Sequence, residues 1–205
     1  MYFKEFGSKN PCRLFVAGVH GNEEATTMPL LELLARDIEN ISGKLILVSL
    51  SSADPYISTL DKAYYDSKNG RKLLDFVHNY RPTIYLELHS YEIRNHTKLT
   101  DPERKSKIGV PPFTELEEKI LIGSISPLIR TTEFNREDLC FTLELPIPHS
   151  EKALQVALAI LKVIALSSDR NEIIGKLRIE YPEQIREAER NFYEFFKENI
   201  DVSFF

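Results

Sequence analysis

The stretch Arg13-Leu14-Phe15-Val16-Ala17-Gly18-Val19-His20-Gly21-Asn22-Glu23, with Glu24 to Ile41 behind it, decides how this chain folds. Arg13 to Val19 is a nearly unbroken apolar run, the pattern of a strand covered on both faces. After the glycines, Met28, Leu31, Leu34, Ala35 and Ile38 recur at helical spacing, and Gly43 supplies a stop. Lys44 to Leu50 is a second apolar run. Strand, helix and strand in succession predict a right-handed crossover between parallel strands.

The pattern continues outward. Thr83 to His89 and Leu139 to Leu145 read as two further strands, and Arg71 to Tyr80 as a helix that ends before Pro82. Apolar residues nearly encircle Glu151 to Leu166, which predicts a helix packed on the sheet. Pro182 to Asn199 is charged on one side and carries Ile185, Phe192, Phe195 and Phe196 on the other. Arg94 to Pro112, with Pro102, Gly109, Pro111 and Pro112, reads as a long irregular loop. The expectation is an α/β fold with a mixed, largely parallel central sheet covered by helices, and a helical C-terminus. No domain boundary is visible, so residues 1–205 read as a single domain, with about 168–205 as a helical extension.

Composition narrows the function. Hydrophobic residues at 42% and charged residues at 28% are globular values. A net charge of -5 with mixed signs argues against nucleic acid as the partner. The local basic cluster Arg104, Lys105 and Lys107 reads as solvated. No apolar stretch reaches the roughly 18 residues that cross a bilayer, and Met1 to Asn10 lacks a secretory apolar segment. No membrane partner and a cytoplasmic location are expected. Cys12 and Cys140 sit in apolar runs and read as buried free thiols. The chain has no P-loop, GxGxxG or GxSxG, which leaves kinase, nucleotide-binding and serine-hydrolase readings without support.

The polar residues of interest stand at strand ends. His20 follows the first strand, His89 ends the third and Glu144 lies near the end of the fourth. In open α/β sheets such positions converge on one rim. Catalytic zinc commonly takes two histidines and a glutamate and keeps a fourth position for water. His20 and Glu23 are close enough across the turn to chelate one ion, while Gly18 and Gly21 permit the sharp turn. His89 is the expected third ligand, for one Zn²⁺ per chain. Glu87 lies on the same strand face as His89, either supporting the site or serving another partner. A glutamate in an apolar strand is expensive unless paired or functional, which singles out Glu144. His78, His96 and His149 read as structural.

Gly18-Val19-His20-Gly21-Asn22-Glu23 resembles the first metal motif of the zinc carboxypeptidase superfamily, especially its succinylglutamate desuccinylase/aspartoacylase branch. Glu87-Leu88-His89 resembles that family's acidic-x-His motif, and Thr142-Leu143-Glu144-Leu145 its strand bearing the catalytic glutamate. The motifs follow family order over about residues 12 to 165. The resemblance implies a zinc-carboxypeptidase-like catalytic domain with His20, Glu23 and His89 as zinc ligands and Glu144 as general base, then acid. It also implies an arginine and an Asp-x-Asn-Arg element that stabilise the oxyanion and grip the substrate carboxylate. Here that stretch is Asp61 to Arg71. Lys62 stands near the first arginine's place, so that Lys62 or Arg71 is the expected oxyanion stabiliser, and Asn69 and Arg71, the expected substrate-binding pair, match only across the inserted Gly70. Lysine does not reproduce bidentate carboxylate binding, and Arg71 reads equally as a substrate ligand or a solvated arginine at a helix start.

The expected activity is zinc-dependent hydrolysis of an amide bond in a small N-acyl amino acid or a peptide C-terminus. The rival reading is a pseudoenzyme that keeps the metal site without turnover. Phe192, Phe195 and Phe196 are expected in packing or in a homo-oligomer contact through the C-terminal helix.

Overall fold

The computed structural model describes residues 2–50 and 55–197. Its first strand, β1 (Tyr2–Gly7), is followed by β2 (Cys12–Ala17), α1 (Glu24–Asp37) and β3 (Lys44–Ser49). All six residues of β2 are buried, and β2 and β3 pair in parallel as the crossover pattern predicts. Two helices come next, α2 (Lys62–Asp66) and α3 (Lys68–Tyr80), the latter started by Ser67, whose side chain accepts a hydrogen bond from Gly70 N. The chain continues through β4 (Ile84–Glu92), a 3₁₀ turn at Ile93–Asn95, α4 (His96–Leu99) and α5 (Arg104–Ile108). Then come β5 (Thr114–Glu115), β6 (Leu121–Gly123), α6 (Pro127–Arg130) and β7 (Leu139–Ile147). Three helices finish it: α7 (Glu151–Leu166), α8 (Arg170–Glu180) and α9 (Pro182–Phe196).

The strands form one seven-stranded sheet in the order β1-β3-β2-β4-β7-β6-β5. The central four run parallel, while β1, β6 and β5 join antiparallel to their neighbours. Strand alternation sends Phe15, Leu47, Leu86 and Phe141 to one face, where α1, α7 and α8 cover them with Leu31, Leu34, Leu161, Ile164 and Leu177. The opposite face carries Leu14, Val16, Ile46 and Val48 under Leu73 and Val77 of α3. Farther along that face β4 and β7 turn polar, presenting Tyr85, Glu87 and His89 beside Thr142 and Glu144. The site is built there.

Arg13 is the exception on the first face. It is completely buried, and its guanidinium donates to Ile164 O at 3.1 Å, to Ser42 O at 2.8 Å and to Ser167 O. The last carbonyls of a helix have no partner within it and carry partial negative charge. Arg13 satisfies those at the end of α7 and so ties that helix to β2.

The structure corrects the reading of Arg94 to Pro112 as an irregular loop. The segment folds into the 3₁₀ turn, α4 and α5, with Gly109 in the left-handed region closing α5. These helices have only four or five residues each, too short for a 3.6-residue periodicity to register. Helix α1 also ends at Asp37, earlier than Ile41. Helix α9 is followed to Phe196, and Asn199 lies outside the described residues. Both cysteines are buried free thiols. Among the described residues no helix is long and apolar enough to cross a membrane.

Candidate metal centre

The turn between β2 and α1 delivers two of the three expected ligands. Gly18 and Gly21 take φ values of 61° and 57°, in the left-handed region that favours glycine. A Cβ on Gly18 would stand 2.9 Å from Ser49 Oγ, so the close approach to β3 reinforces the requirement. Thr27, one turn into α1, locks the loop: its Oγ1 accepts from Gly18 N at 3.1 Å and donates to Glu23 O at 2.7 Å. Tyr64 of α2 braces the same turn by donating to Val19 O at 2.8 Å.

His89 enters from β4, which lies beside β2, and the ligand atoms of His20, Glu23 and His89 all fall within 4.8 Å of one another. Glu23 Oε2 stands 3.3 Å from His20 Nδ1 and 3.2 Å from His89 Nδ1. Neither His20 Nδ1 nor Glu23 Oε2 has a hydrogen-bond partner, although both atoms are buried. Buried polar atoms are normally satisfied. Three converging donors, two of them orphaned, fit a small divalent cation, and two histidines with a carboxylate are a donor set suited to zinc. His20, Glu23 and His89 are the residues that could hold it.

The neighbouring groups prepare this set. His89 Nε2 meets Glu87 Oε2 at 3.2 Å, and Glu87 Oε1 accepts from the Tyr85 hydroxyl at 2.9 Å. A carboxylate behind a histidine fixes its tautomer and leaves the other nitrogen free to ligate. That nitrogen is Nδ1, the one facing Glu23. Ser90 N donates to Glu23 Oε1 at 3.3 Å, which orients the carboxylate.

The electrostatics follow from burial and from the carboxylates. Burial, reinforced by the charge of His89, lowers the pKa of His20 to about 4, so its ring is neutral. Burial alone would lower His89 too, but Glu23 and Glu87 outweigh it and hold that imidazole well above its ordinary value. Glu23 is pushed up by burial and brought below the carboxylate range by His89, His20 and the Ser90 amide. Glu144 lies opposite His89 in the β4–β7 register, outside the ligand cluster. Burial raises its pKa to about 7, a value suited to taking and returning a proton near neutrality.

These groups line a cleft of about 870 Å³, a size that holds small ligands. His20, Glu23, His89 and Glu144 all face it. Lys62 and Arg71 are exposed, Asn69 is buried at the start of α3, and none of the three is among the residues lining the cleft. Other residues take their places along the wall. Tyr56, still two-thirds exposed, sets its ring edge against His20 at 4.5 Å, and Arg104 lines the wall near Glu144. Sequence reasoning passed over both. Tyr56 belongs to no periodic element, and Arg104 sits in the basic cluster that reads as solvated. That reading fits Lys107, an exposed side chain paired with Asp101 and Glu103.

Fold and site together define an α/β protein with a two-histidine, one-glutamate candidate metal centre at the ends of its parallel strands. The chain belongs to the family described as "Uncharacterized protein conserved in archaea (DUF2119)", whose model matches residues 8–197. It is 38% identical over 188 residues to an uncharacterized protein of Methanocaldococcus jannaschii, MJ0501, covering 90% of this chain and 91% of that one. Among solved structures it is similar to a bacteriophage poly-gamma-glutamate hydrolase, at 13% identity and a TM-score of 0.29, over 94% of this chain and 90% of that chain.

Proposed function

We propose that this protein is a zinc-dependent hydrolase acting on the amide bond of a small N-acyl amino acid or a peptide C-terminus. The observation that carries the reading is the trio His20, Glu23 and His89, with buried donor atoms left without hydrogen-bond partners. The motifs that resemble the zinc carboxypeptidase superfamily supply the reaction class.

Bound zinc would act as a Lewis acid toward the scissile carbonyl and acidify water at the open position. The protein's own contribution lies in three groups. Glu144 takes the proton of the attacking water and returns it to the departing nitrogen. Glu87 keeps the His89 ring oriented through Nε2, and Thr27 with Gly18 keeps Glu23 at the mouth of the turn. The α4–α5 segment contributes part of the cleft wall.

Zinc-loaded protein screened against N-acyl amino acids and short peptides should show turnover. Glu144→Gln should keep about one zinc per chain while losing roughly 100-fold or more of the rate. A wild-type protein that binds zinc and hydrolyses none of them supports the pseudoenzyme reading instead. That alternative draws on a specific observation: Lys62, Asn69 and Arg71 stand away from the cleft. A protein that binds no zinc removes both readings.

A further inference from the structure

Three cations line the cleft: Arg94, Lys98 and Arg104. Arg94 is exposed and paired with Glu92 at 2.5 Å, and Lys98 is exposed. Arg104 is different. It is half-buried, and its Nε is shut off from solvent without a hydrogen-bond partner. Its Nη1 donates to Pro111 O at 2.6 Å, and its guanidinium carbon lies 4.9 Å from the centre of the Phe113 ring. Among the described residues no carboxylate comes within ion-pair distance of it. Glu144 feels its charge without hydrogen bonding to it.

A guanidinium stays charged at any ordinary pH, and withdrawing it from water without an anion is unfavourable. The carbonyl of Pro111 and the face of Phe113 hold the cation in place but do not neutralise it. Its missing counterpart is an anion that arrives from outside. A half-buried cation without a carboxylate partner calls for a negative charge beside it, and the planar fork matches a carboxylate in bidentate fashion. The chain on either side of Arg104 also lines the cleft with Leu99, Ile108, Val110 and Phe113, the last against its guanidinium, which favours an apolar group beside the ligand's carboxylate.

We propose that Arg104 receives the substrate's carboxylate and selects amides whose free carboxylate adjoins an apolar side chain. The inference rests on the hydrolase reading of the same cleft. It gives Arg104 the carboxylate-binding role that the sequence offers to Asn69 and Arg71, and it makes the α4–α5 segment the element that sets specificity.

The test is equilibrium binding of two matched probes, N-acetylleucine and N-acetylleucinamide, with inorganic phosphate as a third arm, to zinc-loaded and to metal-free protein. Wild type should bind the acid about tenfold or more tighter than the amide, as expected for a charge-assisted fork. Arg104→Met should remove that preference while zinc stoichiometry and thermal midpoint stay at wild-type values, and Arg104→Lys should restore part of it. Equal binding of acid and amide by the wild type overturns the inference whatever the variants do. So does an unchanged preference in Arg104→Met, and so does phosphate binding tighter than N-acetylleucine. The two readings fail separately. An Arg104-dependent preference in protein that takes up no zinc sinks the metal centre alone, and zinc uptake without the preference sinks Arg104 alone.

Discussion

His89 stands between two carboxylates, with Nδ1 toward Glu23 and Nε2 toward Glu87. The two carboxylates raise its pKa well above the ordinary histidine value, so protons compete with a metal for this ring. Ligation through Nδ1 requires that nitrogen to be free of a proton, whereas His20, with a pKa of about 4, offers little proton competition. Calorimetric zinc titrations at pH 7 in buffers of different ionisation enthalpy should therefore show protons released on metal binding. Apparent affinity should rise with pH through neutrality, because the competing proton becomes scarcer. No buffer dependence would mean that His89 gives up no proton when the metal binds. Glu87→Gln should weaken zinc binding by about 10- to 100-fold, the usual effect of losing a carboxylate behind a histidine, measured by competition with a chelator. Spacing made His20, Glu23 and His89 legible in the sequence, because a short turn and a strand end carry their own geometry. The role of Glu87 was left open there, since alternation says which face a side chain takes and not which atom it meets. Arg104 was missed for a similar reason: three neighbouring basic residues look alike until a fold buries one of them.

At the scale of elements, the site depends on how firmly β2 hands over to α1. Thr27→Val preserves shape but leaves Gly18 N without its acceptor. It should lower stability by about 1–2 kcal/mol and weaken metal binding along with it; urea unfolding and chelator competition read the two effects. Arg13→Met removes three hydrogen bonds to backbone carbonyls, including the two buried ones at the end of α7. A loss of about 3 kcal/mol or more is expected, measured as a fall in urea midpoint. A change within 0.5 kcal/mol, roughly the range of ordinary surface substitutions, would show that the clamp is idle. The four central strands and α7 were readable because both sheet faces are covered and their residues are mostly apolar. Strands β5 and β6, with two and three residues, give no period to detect. Strand β1 is largely exposed, and Lys4 and Glu5 interrupt its apolar residues. It earns its place by pairing with β3 along its whole length.

For the molecule as a whole, the ligand trio joins the β2–α1 turn to β4, so a bound metal should stabilise the entire fold. At zinc a hundredfold above its dissociation constant the gain is about 2.7 kcal/mol. For a chain of this size that is roughly 5–10 °C in the thermal midpoint. Zinc added to His89→Ala should leave the midpoint nearly unmoved. Helix α9 also reaches the cleft, where Phe195 forms part of its lining and Lys105 of α5 donates to Glu194 O at 3.3 Å. Phe192 and Phe196 are buried within the chain.

The crossover from β4 to β7 carries more than the single helix such a connection needs, for it holds α4, α5, β5, β6 and α6. The metal ligands and Glu144 lie outside it, on the sheet or beside its rim, while Arg104 and the apolar wall lie within it. Reactivity and recognition thus reside in separate stretches of chain. Substitutions confined to the insert can redirect what such a protein accepts without disturbing how it reacts, which makes that insert the natural cassette for both evolutionary drift and redesign.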